Sequence, residues 1–245
     1  GYSDYTIKVN VHKQNGDEFV WQQMTGISLP EATTLPAGIK QLLGGCTTEQ
    51  YALSDDNMLM VSHDGGVTWQ EDLLDSDAAL LPTQDLAIVS YPLNLAENTD
   101  QVVLVGNRST DNYPQEEIAM VWRKIVDYSG YATEARWTYM EQAENPVMVL
   151  PRLADLTMVK YDDGILALGG AGIGGCTKTA YSQIYQSRDN GITWKRNALY
   201  QLPEGFDYNA TKVEASVDEQ NCIWLHCYGT GQVWRGRLNR LGWNK

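Results

Sequence analysis

Short apolar runs bounded by turn residues recur along this chain, and a helical period is nowhere sustained for three turns. After Leu81 come DLAIVSY (85–91), QVVLVGN (101–107), IAMVWRKI (118–125) and RWTYM (136–140), each rich in β-branched and aromatic residues and flanked by Asn, Asp, Gly or Pro. That pattern predicts four strands in succession. The segment after Leu150 repeats it as LTMVKYD (156–162), GILALGG (164–170), SQIYQSRD (182–189) and GITWKR (191–196), and the segment after Leu35 as GIKQLLGG (38–45), QYALS (50–54), MLMVSHD (58–64) and GVTWQE (66–71). A last segment runs VEASVDE (213–219), CIWLHCYG (222–229) and QVWRGRL (232–238), while YTIKVNV (5–11) and FVWQQM (19–24) form a shorter pair joined by QNGD, an Asn-Gly hairpin signal.

Punctuation supports the same division. Leu-Pro pairs at 35–36, 81–82, 150–151 and 202–203 are each preceded by a tryptophan, at 21, 69, 137 and 194, and Trp243 closes the series. Spacings of about 48 to 68 residues suit a propeller blade of four antiparallel strands, with two units enlarged by loops. The expected fold is therefore an all-β propeller of about five blades. If one terminus supplies strands to a blade begun by the other, the segment closes with four or five, and strands upstream would make it part of a six- or seven-bladed ring.

Composition fits this class: 14 Tyr and 8 Trp against 2 Phe, with 22 Gly, suit short strands whose aromatics lie half in water. Charge narrows the partners. With 31 acidic and 18 basic residues the net charge is −13, so nucleic acid is repelled, and no cluster of Lys and Arg offsets this. No apolar run reaches the ~20 residues that span a bilayer. The chain starts Gly1-Tyr2 and shows no leader pattern, which predicts an extracytoplasmic, mature or excised segment whose export signal or lipid anchor lies upstream. Of the four cysteines, Cys222 and Cys227 fall on one strand about 16 Å apart, too far to bond each other, and no spacing suits zinc. No metal or other cofactor is expected.

One octapeptide recurs. SHDGGVTW at 62–69 returns as SRDNGITW at 187–194, each between two apolar runs where a hairpin must reverse. Gly supplies positive φ, Asp accepts hydrogen bonds from turn amides, and Thr-Trp starts the outgoing strand. Written S-x-D-x-G-x-T-W, both copies resemble the Asp-box of sialidases and related BNR-repeat propellers. The resemblance implies a structural role for Ser62, Asp64, Gly66, Thr68 and Trp69, and likewise for Ser187, Asp189, Gly191, Thr193 and Trp194. It places them in the turn between the third and fourth strands of a blade, away from an active site. Catalytic sialidases add an Arg-Ile-Pro motif, an arginine triad and a Tyr-Glu pair. This chain has no Arg-Ile-Pro, and its nine arginines do not recur at equivalent positions. LALGG at 166–170 and LVGN at 104–107 resemble the kelch diglycine strand, and the mixed character is similar to exported propellers of Bacteroidetes.

Candidate chemistry is sparse. GGAGIGG at 169–175 is followed by no helical pattern, which removes the phosphate-loop reading. His12, His63 and His226 are dispersed, adjacent pairs such as Asp55-Asp56 are weak evidence of catalysis, and Asp162-Asp163-Gly164 reads as a hairpin turn. If the octapeptides occupy one rim, the opposite rim carries the long loops NRSTDNYPQEE (107–117) and GAGIGGCTKTAYSQ (170–183). Their Arg108, Asp111, Tyr113, Lys178 and Tyr181 are the candidate ligand contacts. The expected function is a non-catalytic propeller that binds a glycan or protein partner through this face. The alternatives are a sialidase-like glycoside hydrolase using two carboxylates, or a scaffold domain of a larger surface protein.

Overall fold

The structure, a computed structural model, describes residues 21–27, 34–72, 84–94, 96–107, 119–129, 136–140, 149–151, 153–171, 184–196, 200, 202–207, 209–210 and 212–237. Among them are sixteen strands and no helix long and apolar enough to cross a membrane. Strand β1 (Gln22–Met24) comes first. Then follow β2 (Ile39–Gly45), β3 (Gln50–Ser54), β4 (Leu59–Ser62) and β5 (Gln70–Glu71), which form one antiparallel sheet in chain order. Strands β6 (Gln84–Asn94), β7 (Thr99–Asn107), β8 (Met120–Asp127) and β9 (Thr138–Tyr139) form a second sheet. A third contains β10 (Leu153–Tyr161), β11 (Gly164–Ala171), β12 (Ile184–Ser187) and β13 (Lys195–Arg196). The last three, β14 (Lys212–Val217), β15 (Ile223–Tyr228) and β16 (Gln232–Gly236), take β1 as their fourth strand, Gln22 pairing Arg235 and Met24 pairing Val233.

This corrects the expected blade number: the described residues form four four-stranded sheets, not about five. The physical reason lies in the tryptophans. Trp21, Trp69, Trp137 and Trp194 each stand immediately before an edge strand of a sheet, so Gln22–Met24 complete the C-terminal sheet instead of starting one of their own. The fifth mark, Trp243, lies outside the described residues, as do the run 5–11 and the turn 14–17.

Contacts divide the chain into a central unit, 32–198, and a terminal unit built from 1–31 and 199–245. In the central unit the second sheet is buried on both faces, because β7 is apolar on both phases of its pleat. Val102 and Leu104 join Tyr51, Leu53, Leu59, Val61, Trp122, Val126 and Trp137 in one core. Val103 and Val105 point the other way and join Val121, Leu153, Met158, Ile165, Ala167 and Trp194 in the next. Tight turns are set by side chains that tolerate a left-handed backbone: Asn57, Asn98, Asp162, Asn190 and Asn221 all have φ between 53° and 64°. Asp162 thereby makes the β10–β11 hairpin expected of Asp-Asp-Gly.

Candidate functional site

The two octapeptides fold into the same hydrogen-bonded turn. In the first, between β4 and β5, Ser62 Oγ donates to Asp64 Oδ1 at 2.8 Å and accepts from the Gly66 amide at 2.8 Å. Asp64 Oδ1 also takes the amides of Val67 (3.1 Å) and Thr68 (2.8 Å), Oδ2 takes the Thr68 hydroxyl at 2.6 Å, and Trp69 Nε1 donates to the Gly66 carbonyl at 3.1 Å. In the second, between β12 and β13, Ser187 binds Asp189 at 2.9 Å and the Gly191 amide at 2.8 Å. Thr193 gives Asp189 both its amide (2.8 Å) and its hydroxyl (2.5 Å), and Trp194 Nε1 reaches the Gly191 carbonyl at 2.9 Å. Gly66 and Gly191 need φ of +89° and +90°, and a Cβ at Gly191 would also stand 3.0 Å from Val121 Cγ1. The expected strands 58–64 and 66–71 are accordingly shorter, ending at Ser62 and resuming at Gln70, because residues 63–69 are committed to the turn.

These bonds fix the carboxylates in the charged form. Hydrogen bonds from the Thr68 hydroxyl and amide and from Ser62 hold Asp64 down at about 2. At Asp189 burial pushes the carboxyl up, but donation from Thr193 and Ser187 outweighs it and the net shift is downward. A depressed folded-state pKa contributes stability above the unfolded value, near 4 for Asp, and loses it as pH falls through the folded value. Replacing Asp64 with Asn is therefore expected to lower the urea midpoint at pH 7 but to make progressively less difference between about pH 4 and 2. A gap between the two proteins that stays constant over that window contradicts the assignment.

Strand direction puts these turns at one end of the sheets. Ile165 pairs Ser187 and Leu168 pairs Ile184, so the second turn lies beside the start of β11, and the connection 172–183 leaves from its other end. In the second sheet Gly106 pairs Met120, and the connection 108–118 leaves from there. Sheets two and three point the same way: Lys160, late in β10, lies 5.1 Å over the ring of Tyr91, late in β6, and the Tyr91 hydroxyl donates to Asn190 of the second octapeptide turn. The two long connections thus spring from one end of neighbouring sheets, opposite the octapeptide turns. The candidate contacts Arg108, Asp111, Tyr113, Lys178 and Tyr181 themselves lie outside the described residues.

The central unit holds a polar cluster that the sequence reading did not single out. Lys124 of β8 alternates inward with Trp122 and Val126, into the core shared by the first two sheets, and its side chain is 2% exposed. Its Nζ donates to Glu49 Oε2 at 2.7 Å and to Asp72 Oδ2 at 3.0 Å, both side chains being 8% exposed. Around it stand the rings of Tyr51 (5.3 Å) and Trp137 (5.6 Å), packed edge to face. Trp137 Nε1 donates to Asp72 at 2.7 Å and the Tyr51 hydroxyl donates to Glu49, while burial, with Glu49 adding to it, drives the Tyr51 phenol far above its ordinary value. One ammonium thus ties the turn before β3 and the residue after β5 to the third strand of the next sheet. The signal was legible: a lone lysine on the apolar phase of IAMVWRKI demands buried counter-ions.

His63 is exposed in the first turn, with Nδ1 3.8 Å from Glu49 Oε1, and His226 is half-buried in mid-β15. Cys46, Cys222 and Cys227 are free thiols. Among the described residues no group of three or more His, Cys, Asp or Glu could hold a metal ion.

The chain belongs to the family described as the DUF6242 beta propeller domain, whose model matches residues 17–245. No curated protein matches it. Three solved structures are similar at a distance. A thermostable family-43 glycoside hydrolase is 10% identical over 80% of this chain and 68% of that one, with a TM-score of 0.37. YCF48 bound to D1 peptide is 13% identical over 89% and 69%, TM-score 0.35, and YCF48 from Cyanidioschyzon merolae 12% over 85% and 72%, TM-score 0.31.

Proposed function

We propose that this propeller is a non-catalytic, extracytoplasmic binding module that engages a glycan or a protein partner through the rim carrying the connections 108–118 and 172–183. One observation carries the reading: the octapeptide turns lie at one end of the sheets and the long connections depart from the other. At one end Ser62, Asp64, Ser187 and Asp189 are spent on closing turns, each carboxylate holding the amides and hydroxyl of its own turn. On this reading the repeated octapeptide is architecture of the Asp-box kind. The other end launches the longest connections of the second and third sheets, and long segments on a rigid scaffold are where binding residues concentrate.

The test is a combined glycan and peptide array, run beside a panel of chromogenic glycosides that includes a sialic acid conjugate. Binding without turnover is expected. Turnover that survives repurification and disappears on mutation of a carboxylate would make the protein a hydrolase. Once a ligand is in hand, Tyr113→Ala and Tyr181→Ala are each expected to weaken it by at least about 1 kcal/mol, as loss of an aromatic anchor does, with little change in thermal stability. Isothermal titration giving wild-type affinity for both variants would remove these two residues from the site.

A further inference from the structure

The terminal unit's sheet differs from the others in how its second strand is buried. Tyr51–Ser54 in β3, 101–106 in β7 and 165–169 in β11 are buried on both phases of the pleat, as in strands covered on both faces. β15 alternates instead: Ile223, Leu225 and Cys227 are buried, whereas Trp224, His226 and Tyr228 are only half-buried. The open phase continues onto β14, where Lys212, Glu214 and Ser216 lie directly opposite Tyr228, His226 and Trp224. These six side chains tile one strip along two paired strands. It runs to the end where β15 passes into β16, which is the second-to-third-strand end of this sheet.

The strip differs in chemistry from the second strands of the central unit. It offers rings and hydrogen-bonding groups in place of the Val and Leu that cover β7 and β11. Lys212 Nζ donates to Glu214 Oε1 at 2.6 Å and the Tyr228 hydroxyl to Oε2 at 2.9 Å, leaving each carboxylate oxygen a further lone pair. Burial pushes the Glu214 carboxyl up, but Lys212, Tyr228 and His226 more than reverse this, so it is ionised at neutral pH. Burial holds His226 below its ordinary value against the pull of Glu214, which leaves a neutral imidazole. The Arg235 guanidinium lies 5.6 Å over the Trp224 ring and Asp218 accepts the indole N–H at 2.9 Å, which fixes that ring in place.

One cation and one anion therefore cancel within the strip, in a chain whose net charge is −13. A charged partner gains no local field there, and a polyanion is repelled by the whole molecule. An uncharged polyhydroxylated ligand finds what it needs: a carboxylate acceptor, ammonium, imidazole and hydroxyl donors, and ring faces for its C–H surfaces. We infer that the strip of Lys212, Glu214, Ser216, Trp224, His226 and Tyr228 is a binding site for a neutral oligosaccharide, with the rings of His226 and Tyr228 against sugar faces and Glu214 accepting from sugar hydroxyls. This rests on the glycan arm of the proposed function and adds a second sugar site, on strands of the terminal unit, with residues and a ligand class of its own.

Saturation-transfer NMR and isothermal titration with cello-, xylo-, manno- and chito-hexaose, with sialyllactose and an unstructured peptide as controls, test it on the full chain. At least one neutral hexaose is expected to bind, and Glu214→Gln and His226→Ala are each expected to weaken it about fivefold or more at unchanged melting temperature. If a neutral sugar binds and both variants keep wild-type affinity while Tyr113→Ala or Tyr181→Ala loses it, the strip is overturned and the glycan-binding reading stands on the loops. If only the peptide or sialyllactose binds, the strip is overturned and the binding-module reading survives. If nothing binds in these assays or on the arrays, both fall.

Discussion

Lys124→Met lowers the stability of the folded protein by about 3 to 5 kcal/mol, the range found when one partner of a buried ion pair is removed. Methionine matches the length of the lysine stem and fills the space between Trp122 and Val126, so the loss is electrostatic and not a cavity. What it removes is the only cation among the described residues within 3.0 Å of two carboxylates whose side chains are each 8% exposed. Glu49 keeps the Tyr51 hydroxyl and Asp72 keeps the Trp137 indole, but two like charges then face each other in an apolar core without the ammonium between them. The control is the triple variant Glu49→Gln, Asp72→Asn, Lys124→Met, which carries no charge and is expected to recover most of the loss. Urea denaturation at pH 7 measures both. A single-variant loss below about 1 kcal/mol, or a triple variant no better than the single, would contradict the electrostatic account.

The second large effect separates the two octapeptide turns. Trp194→Ala costs about 3 to 5 kcal/mol, as truncation of a fully buried aromatic does. Trp194 is 0% exposed and packs with Val103, Val121, Leu150 and Ile165 between the second and third sheets. Trp69 makes the same indole bond to its turn glycine but is only half-buried and belongs to neither core, so Trp69→Ala costs clearly less. Thermal and urea unfolding of the pair give the ranking. Equal losses would mean that the local turn bond, common to both, dominates over packing.

Much of the fold is legible in the sequence because its signals are local. Continuous apolar runs such as QVVLVGN and GILALGG need only their own composition to be read as strands, and each Asn or Asp that turns a hairpin announces itself. The octapeptides are legible for the same reason: every bond in them spans four residues or fewer. What escaped depends on contacts far apart in sequence. The pairing of Gln22 with Arg235, which turns about five blades into four sheets, spans nearly the whole chain. The Lys124 cluster draws Glu49, Asp72 and Trp137 from three separate segments, and only the misplaced polarity of the lysine hints at it. The strip on β14 and β15 was hidden likewise, since Glu214 and His226 meet only through strand register.

The measurement that bears most directly on the division between a structural end and a binding end is a ligand array probed with three proteins. These are the wild type, Asp189→Ala, and a variant whose residues 109–117 and 173–182 are exchanged for short Gly-Ser linkers. Each is first shown to be folded by near-UV circular dichroism. The expected result is that Asp189→Ala retains the wild-type binding profile at reduced melting temperature, while the linker variant, at a melting temperature close to wild type, loses that profile except for any neutral oligosaccharide held by the strip on β14 and β15. A folded Asp189→Ala protein that no longer binds, beside a linker variant that binds as wild type does, would place recognition at the octapeptide end and contradict the account.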